Sequence, residues 1–209
     1  PFPLGATFVS PSTSIGLAAP VPLTIEGRGV VAEFSLPRGN TATFFLRQAD
    51  RGSEANLLIP EKTGETAFHE TIDYWKLWMS QSRYTGRWRE MVHRSALVLK
   101  LLTYAPTGAV VAAATTSLPE EIGGVRNWDY RFCWMRDASF TLYALMRLGF
   151  HQEAGHFMDW LEERCRKLNP DGSLQPMYSI DGDSLLTEES LSHLKGFKNS
   201  KPVRIGNDA

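Results

Sequence analysis

The chain has 209 residues, with 22 Lys and Arg against 23 Asp and Glu, and a formal net charge of −1. Its composition, 43% hydrophobic and 22% charged, is typical of a soluble globular protein. The balanced charge does not indicate a nucleic-acid partner, and no apolar run approaches the ~18 residues of a membrane span. Two cysteines make no disulfide framework, so we expect a reducing, cytoplasmic compartment.

Residues 1–60 are predicted to be rich in β-strands. Pro and Gly separate several short segments that have strand composition, and several strands at close spacing are typical of a sandwich. We therefore interpret 1–60 as the end of a β-sandwich domain. The predicted strands are Phe8–Ser10, Leu23–Glu26, Val30–Leu36 and Ala42–Arg47.

Residues 61–86 are interpreted as a linker helix region, because aromatic and aliphatic side chains recur at helical spacing from Phe68 to Met79. Residues 87–209 are interpreted as the start of a helical domain. The next predicted helix runs from Arg87 to Tyr104 and has one apolar face. An extended connection follows over residues 110–116.

Two further helices are predicted after this connection. Asp137–Leu148 is apolar on nearly every side, which predicts a buried helix, and Asp137 suits the positive end of its dipole. His151–Leu168 is amphipathic, with Glu153 expected to face water. Its predicted apolar stripe consists of Ala154, Phe157, Met158, Leu161, Cys165 and Leu168.

The remainder of the chain, from Leu174 onward, is predicted to consist mainly of loops. Glu188 and Glu189 are expected to begin a short helix. Three polar side chains of this region are candidates for the mouth of a site: Tyr178, Asp181 and Asp183.

The stretch Asn127–Ala138 is the most distinctive of the sequence, with two Trp, one Tyr, one Phe, two Arg and two Asp in twelve residues. Aromatic rings stack on the apolar face of a pyranose, and carboxylates and guanidinium groups hydrogen-bond its hydroxyls. The stretch is therefore a candidate sugar site. The alternative is a buried aromatic cluster whose charges are paired with each other.

Several motifs in this region resemble the glucoamylase-like glycoside hydrolases of family 15, a family of glucoamylases, glucodextranases and bacterial trehalases. The resemblance covers roughly residues 60–209. It implies an α+β fragment, in which the tail of an N-terminal β-sandwich precedes the first helices of an (α/α)6 toroid, and hence an internal piece of a longer protein. The matching segments are Leu118–Arg131, Trp134–Ala138, Gly172–Gly182, His193–Phe197 and Pro202–Ala209.

The resemblance also implies roles for individual residues of the first sugar subsite. Arg136 and Asp137 match a pair that hydrogen-bonds the terminal glucose. Tyr130 matches an aromatic residue beneath the ring, and Trp134 matches a Trp that lines the pocket. Additional wall and loop candidates are Trp128 and Arg131 and, more weakly, Arg204 and Asn207.

The family mechanism inverts the anomeric centre and uses two glutamates, which the resemblance places beyond residue 209. No catalytic residue is therefore predicted within this chain, and the adjacent pair Glu120 and Glu121 is not chosen. No metal ion or cofactor is predicted, because no metal-ligand spacing occurs. The oligomeric state stays open.

The predicted function of the parent protein is exo-acting release of glucose from the non-reducing end of α-glucosides of the starch or malto-oligosaccharide type. The 209 residues alone are expected to be inactive. One alternative is a trehalase of the same family, and another is a non-catalytic regulatory protein built on the same toroid. A third alternative is a structural domain without a ligand.

Overall fold

The computed structural model describes residues 5–11, 13–48 and 61–208, with only the backbone described at 61–63. The chain divides into two compact units, Pro1–Leu77 and Trp78–Ala209. The described residues form short strands and four α-helices, an α+β arrangement. None of the helices in these ranges is long and apolar enough to cross a membrane.

The described residues of the first unit form five short strands: β1 (Gly5–Val9), β2 (Ser14–Ala18), β3 (Thr24–Glu26), β4 (Gly29–Val31) and β5 (Phe45–Gln48). β1, β2 and β5 form an antiparallel sheet in that order, and β3 pairs with β4 as a hairpin. The β-rich prediction for this part of the chain is confirmed. That the strands belong to a β-sandwich stays a prediction.

Three details of the strand prediction differ from the structure. The predicted strand Val30–Leu36 ends at Val31, and the one predicted from Ala42 begins only at Phe45. β2 was not predicted, because Gly16 lies at its centre and glycine weakens the strand pattern. This strand is held instead by neighbours on both sides, β1 and β5.

The four helices are α1 (Glu61–Met79), α2 (Arg89–Leu101), α3 (Met135–Leu148) and α4 (His151–Cys165). All four were predicted, and they begin within two residues of the expected positions. α3 ends at Gly149, whose φ of 103° is the left-handed conformation that a glycine C-cap adopts readily. The sharp turn that follows brings α4 back against α3.

The core of the second unit lies between α3, α4 and the connection after α2. Its members are mostly small or aromatic side chains, and they include the buried thiol of Cys133. Burial raises the pKa of this thiol to about 11, so it stays protonated at neutral pH. The core consists of Ala109, Val110, Cys133, Ala138, Leu142, Ala154, Phe157, Trp160 and Tyr178.

The expectation that α3, which is apolar on nearly every side, is a buried helix is wrong. Ala138, Leu142 and Leu145 are buried, whereas Phe140 and Tyr143 are 70% and 64% exposed. Only one face of α3 meets the core, and no element of the described chain covers the opposite face.

The expected orientation of α4 is also wrong in part. Glu153 was expected to face water but is buried, as are Trp160 and Arg164. Met158 and Cys165, expected in the buried stripe, are exposed, and so is Leu168 beyond the helix end. The helix is rotated because the large ring of Trp160 enters the core and Glu153 has polar partners there.

Two short antiparallel strand pairs complete the second unit. β6 (Cys133–Trp134) pairs with β7 (Met177–Tyr178), and β8 (Glu189–Ser190) pairs with β9 (Arg204–Ile205). The helix expected at Glu188 and Glu189 is therefore wrong, because Glu189 pairs with Ile205 across the sheet. Tyr178, expected at a site mouth, is buried, and its hydroxyl accepts a hydrogen bond from the Gln175 N–H.

Candidate functional site

The distinctive stretch forms an extended segment that leads directly into α3. It is paired along one edge by the connection after α2, because Ala113 N–H donates to the Tyr130 carbonyl and Ser117 N–H donates to the Trp128 carbonyl. Asn127, Asp129 and Cys133 are buried, whereas the aromatic side chains that alternate with them along the segment are half-buried. We call these four aromatic side chains, Trp128, Tyr130, Phe132 and Trp134, the aromatic row.

Three rings of the aromatic row, those of Tyr130, Phe132 and Trp134, lie close to one another just before the first turn of α3. The ring centroids of Tyr130 and Trp134 are 5.9 Å apart, and those of Phe132 and Trp134 are 6.5 Å apart. Both contacts lie in the range of favourable aromatic pairs. Because the rings are only half-buried, part of this aromatic surface stays accessible.

Arg136 and Asp137 lie in the first turn of α3, immediately after Trp134. Arg136 Nη2 lies 3.2 Å from Asp137 Oδ2, and the two side chains are 78% and 43% exposed. A carboxylate in the first turn is favoured by the helix dipole. These charged groups are therefore accessible to a polar ligand, whereas the alternative of a buried cluster would have placed them in the core.

A cavity of about 220 Å³ opens next to Asp137, between α2 and α3. Its walls are largely aliphatic, with Asp137 as its charged member. No local sequence pattern indicated this cavity, because its walls come from three separate parts of the chain. The lining residues are Leu99, Leu102, Val110, Val111, Ala112, Asp137, Ala138, Phe140 and Thr141.

Asp129 links the aromatic row to a distant loop. Its side chain is 0% exposed and accepts a bidentate pair of hydrogen bonds from Arg131, at 2.9 Å from Nε and 2.8 Å from Nη2. It also accepts hydrogen bonds from the Arg131 N–H and the Gly206 N–H, both at 3.1 Å. Burial raises the pKa of the carboxyl, but the hydrogen bonds and the charge of Arg131 outweigh it and lower the pKa overall.

Arg204 and Asn207, the weaker candidates, both contact the segment that carries the aromatic row. The guanidinium carbon of Arg204 lies 4.5 Å from the centroid of Trp128, and its Nε lies 3.1 Å from Glu188 Oε1. Asn207 is buried, and its Nδ2 donates to the Asp129 carbonyl at 3.3 Å. These contacts support the surrounding chain and leave little of Asn207 accessible to a ligand.

The predicted site residues thus fall into two groups. Tyr130, Trp134, Arg136 and Asp137 present accessible aromatic and charged groups at the start of α3. The second group, whose side chains contact neighbouring parts of the protein, consists of Trp128, Arg131, Arg204 and Asn207. Within residues 5–11, 13–48 and 61–208, no three His, Cys, Asp or Glu side chains are grouped to hold a metal ion.

Comparison with known proteins defines the class of the chain. The model of the family described as Glycosyl hydrolases family 15 matches residues 86–209, more than half of the sequence. The chain belongs to this glycoside hydrolase family. No solved structure matches it significantly.

Curated relatives of the chain carry a more particular name. It is 38% identical over 209 residues, or 98% of its length, to a trehalase of Thermoplasma volcanium, and 46% identical over 140 residues, or 67%, to a trehalase of Thermoplasma acidophilum. It is 41% identical over 189 residues, or 88%, to a trehalase of Mycolicibacterium smegmatis. The matched regions cover 32%, 23% and 27% of these relatives, so the chain spans about a third of their length or less.

Proposed function

We propose that this chain is part of a glycoside hydrolase that cleaves α,α-trehalose, and that it supplies a subsite for one glucose unit. The observation that carries the proposal is the 38–46% identity to trehalases over the region that contains the aromatic row and the Arg136–Asp137 pair. This identity favours trehalose as the substrate over the malto-oligosaccharides predicted from the sequence.

The geometry at the start of α3 supports a sugar as the ligand. The tilted rings of Tyr130 and Trp134 present apolar faces that suit the CH surface of a pyranose. Arg136 donates and Asp137 accepts hydrogen bonds, so the pair matches hydroxyl groups, which do both. Charged partners make such hydrogen bonds stronger than neutral ones.

A terminal glucose is the unit that these groups are proposed to hold. Asp137 lies in the wall of the 220 Å³ cavity and is the charged residue of its lining. Polar groups that sugar binding removes from water discriminate strongly against analogues that lack a hydroxyl, because their hydrogen-bonding capacity would then stay unused. Trehalose, maltose and isomaltose all offer an α-linked glucose, so selection among them depends on contacts to the second sugar.

The catalytic acid and base are proposed to come from outside these 209 residues. An inverting hydrolase needs two carboxyl groups ~6.5–9.5 Å apart on opposite sides of the glycosidic bond. Glu120 Oε2 lies 3.3 Å from Arg126 Nη1 in a surface ion pair.

We further propose that α2, α3 and α4 are helices of an (α/α)6 toroid, preceded by a β-sandwich.

The experiment is a substrate comparison with the natural full-length protein. Glucose release from trehalose, maltose, isomaltose and a malto-oligosaccharide is measured at equal concentrations, with the released anomer followed by NMR. We expect trehalose to give the highest kcat/KM and the product to form with inversion. Preference for maltose would support the glucoamylase reading, and sugar binding without hydrolysis of any substrate would support the regulatory reading.

A further inference from the structure

Asp129 occupies a singular place among the carboxylates of the second unit, because it joins two segments that both border the aromatic row. Its side chain binds Arg131 in its own segment and the Gly206 N–H in the loop after β9, 77 residues away. Its backbone carbonyl accepts a further hydrogen bond from Asn207 of that loop.

We propose that Asp129 is a positioning residue for sugar binding. It fixes the positions of the Tyr130 and Trp128 rings relative to the first turn of α3. The inference rests on the proposed function. Asp129 has no exposed surface and does not touch the sugar. It acts through its two sequence neighbours, Trp128 and Tyr130, whose rings belong to the aromatic row.

Four N–H donors fix the orientation of the Asp129 carboxylate. Arg131 approaches with two parallel N–H groups, a geometry that fixes direction as well as distance. The main-chain N–H groups of Arg131 and Gly206 complete the set. Because every one of these partners is a donor, a carboxylate fits the site and an amide presents an NH2 group to another donor.

Loosening this arrangement is expected to displace the rings that a sugar would contact. Trp128 lies beneath the guanidinium of Arg204, which belongs to β9, the strand directly before the Gly206 loop that Asp129 binds. Tyr130 lies 5.9 Å from Trp134, whose position is fixed by the pairing of β6 with β7. A shift of about 1 Å in a positioning group costs on the order of a hundredfold in rate when the reacting geometry depends on it.

Glu153 is the matched control, because it is another buried carboxylate with charged and neutral donors. Lys100 Nζ lies 2.8 Å from Glu153 Oε1, and Trp78 Nε1 donates to the same oxygen at 2.7 Å. Its contacts lie between α2, α4 and the end of α1, and none of them involves the aromatic row. Removal of either charge is expected to destabilise the fold, but only Asp129 is expected to affect the sugar.

The test compares Asp129→Asn with Glu153→Gln in the natural full-length protein, with trehalose as substrate. The kinetic constants are normalised to the folded fraction, which is measured by circular dichroism at the assay temperature. We expect Asp129→Asn to lower kcat/KM by about tenfold or more, chiefly through KM, and Glu153→Gln to change it by less than about twofold. Equal kcat/KM values in Asp129→Asn and the wild type would overturn the positioning role.

Arg131→Lys covers the case in which Asp129→Asn does not fold. Lysine keeps the positive charge but donates from a single nitrogen, so the bidentate contact is lost. We expect a smaller rise in KM in the same direction, and an unchanged KM would again overturn the role. A wild-type protein that hydrolyses no α-glucoside would overturn the proposed function itself, which separates the two failures.

Discussion

The indole Nε1 of Trp78 donates a 2.7 Å hydrogen bond to the buried carboxylate of Glu153. Trp78 also stacks on Phe150, with ring centroids 4.0 Å apart and an interplanar angle of 10°. Lys100 completes the carboxylate's partners at 2.8 Å. This set of contacts joins the end of α1 to α2 and to the turn between α3 and α4, and it explains why α4 turns an acidic residue inward.

Removal of the Glu153 charge is expected to weaken the fold. Glu153→Gln keeps an acceptor for Trp78 but leaves Lys100 without its counter-charge, so we expect a loss of about 1–3 kcal/mol in the free energy of unfolding. Urea unfolding followed by circular dichroism measures the effect. The exposed Glu162, paired with Arg166 at 2.7 Å, provides the control Glu162→Gln. Equal stability of wild type and Glu153→Gln would show that the buried charge contributes nothing.

Much of the helical part of the fold could be predicted, because its signals are local. The apolar spacing of α3 and α4 and the glycine after α3 lie within a few residues of each other. The burial of Glu153 could not be predicted, because its partner Trp78 is 75 residues away. The strand at Glu189 was missed for the same reason, since its pairing partner Ile205 lies outside any local pattern.

The candidate site divides in the same way. Tyr130, Trp134, Arg136 and Asp137 are close in sequence, so their proximity in space follows from one short segment. The link between Asp129 and Gly206 spans 77 residues and had no local signal. The cavity next to Asp137 likewise depends on how α2 lies beside α3.

Gly182 is expected to be essential for the burial of Arg164. Its φ is +91°, and a Cβ at this position would lie 1.7 Å from Arg164 Nη1. Gly182→Ala is therefore expected to displace Arg164 from the ring of Trp160, over which its guanidinium carbon lies at 5.1 Å. We expect the free energy of unfolding to fall by more than the ~1–2 kcal/mol that the left-handed backbone conformation alone costs an alanine.

Gly172→Ala is the matched control for Gly182→Ala. Gly172 has a similar φ of +82°, but a Cβ there would meet no atom within 4 Å. Differential scanning calorimetry of both variants separates backbone strain from the clash. Equal melting temperatures of the two variants would show that Arg164 moves away at no cost.

The two cysteines are expected to differ in reactivity. Cys133 is fully buried, and burial raises its pKa to about 11, whereas Cys165 is exposed at the end of α4. Because the thiolate is the reactive form, a thiol reagent at pH ~8 should modify Cys165 quickly and Cys133 only after unfolding. Mass spectrometry of the labelled peptides, with and without urea, identifies each site. Rapid native labelling of Cys133 would contradict its placement in the core.

Stability is expected to fall in acid partly through Asp129. Burial opposes ionisation, but the hydrogen bonds and charge of Arg131, with the Gly206 N–H, lower the folded-state pKa below the unfolded value. The stabilisation is therefore complete above the unfolded pKa of about 4 and is lost as the pH falls through the folded pKa. Between pH ~6 and ~3, Asp129→Asn should lose less unfolding free energy than the wild type. Urea titrations at the two pH values measure these losses. If wild type and Asp129→Asn lost the same unfolding free energy between pH ~6 and ~3, the result would contradict this role of Asp129.

Arg136 and Asp137 decide between a sugar site and a structural domain without a ligand. Their contact is accessible, and such surface ion pairs contribute only about 0–1 kcal/mol to folding. We therefore expect Arg136→Ala and Asp137→Ala to leave the melting temperature nearly unchanged. If each side chain hydrogen-bonds a glucose hydroxyl, its removal should lower kcat/KM for trehalose by about 10–100-fold in the natural full-length protein.

The control for these variants is Arg166→Ala, which removes the guanidinium of a comparably exposed pair on α4. It should change neither the melting temperature nor kcat/KM. Glucose binding, measured by calorimetry on the same proteins, separates loss of affinity from loss of turnover. A structural domain predicts the reverse pattern for Arg136→Ala and Asp137→Ala, with altered melting and unaltered sugar affinity. The sugar-site hypothesis predicts a change in sugar affinity and kcat/KM, whereas the structural hypothesis predicts a change in melting temperature. One set of variants is therefore enough to choose between the two.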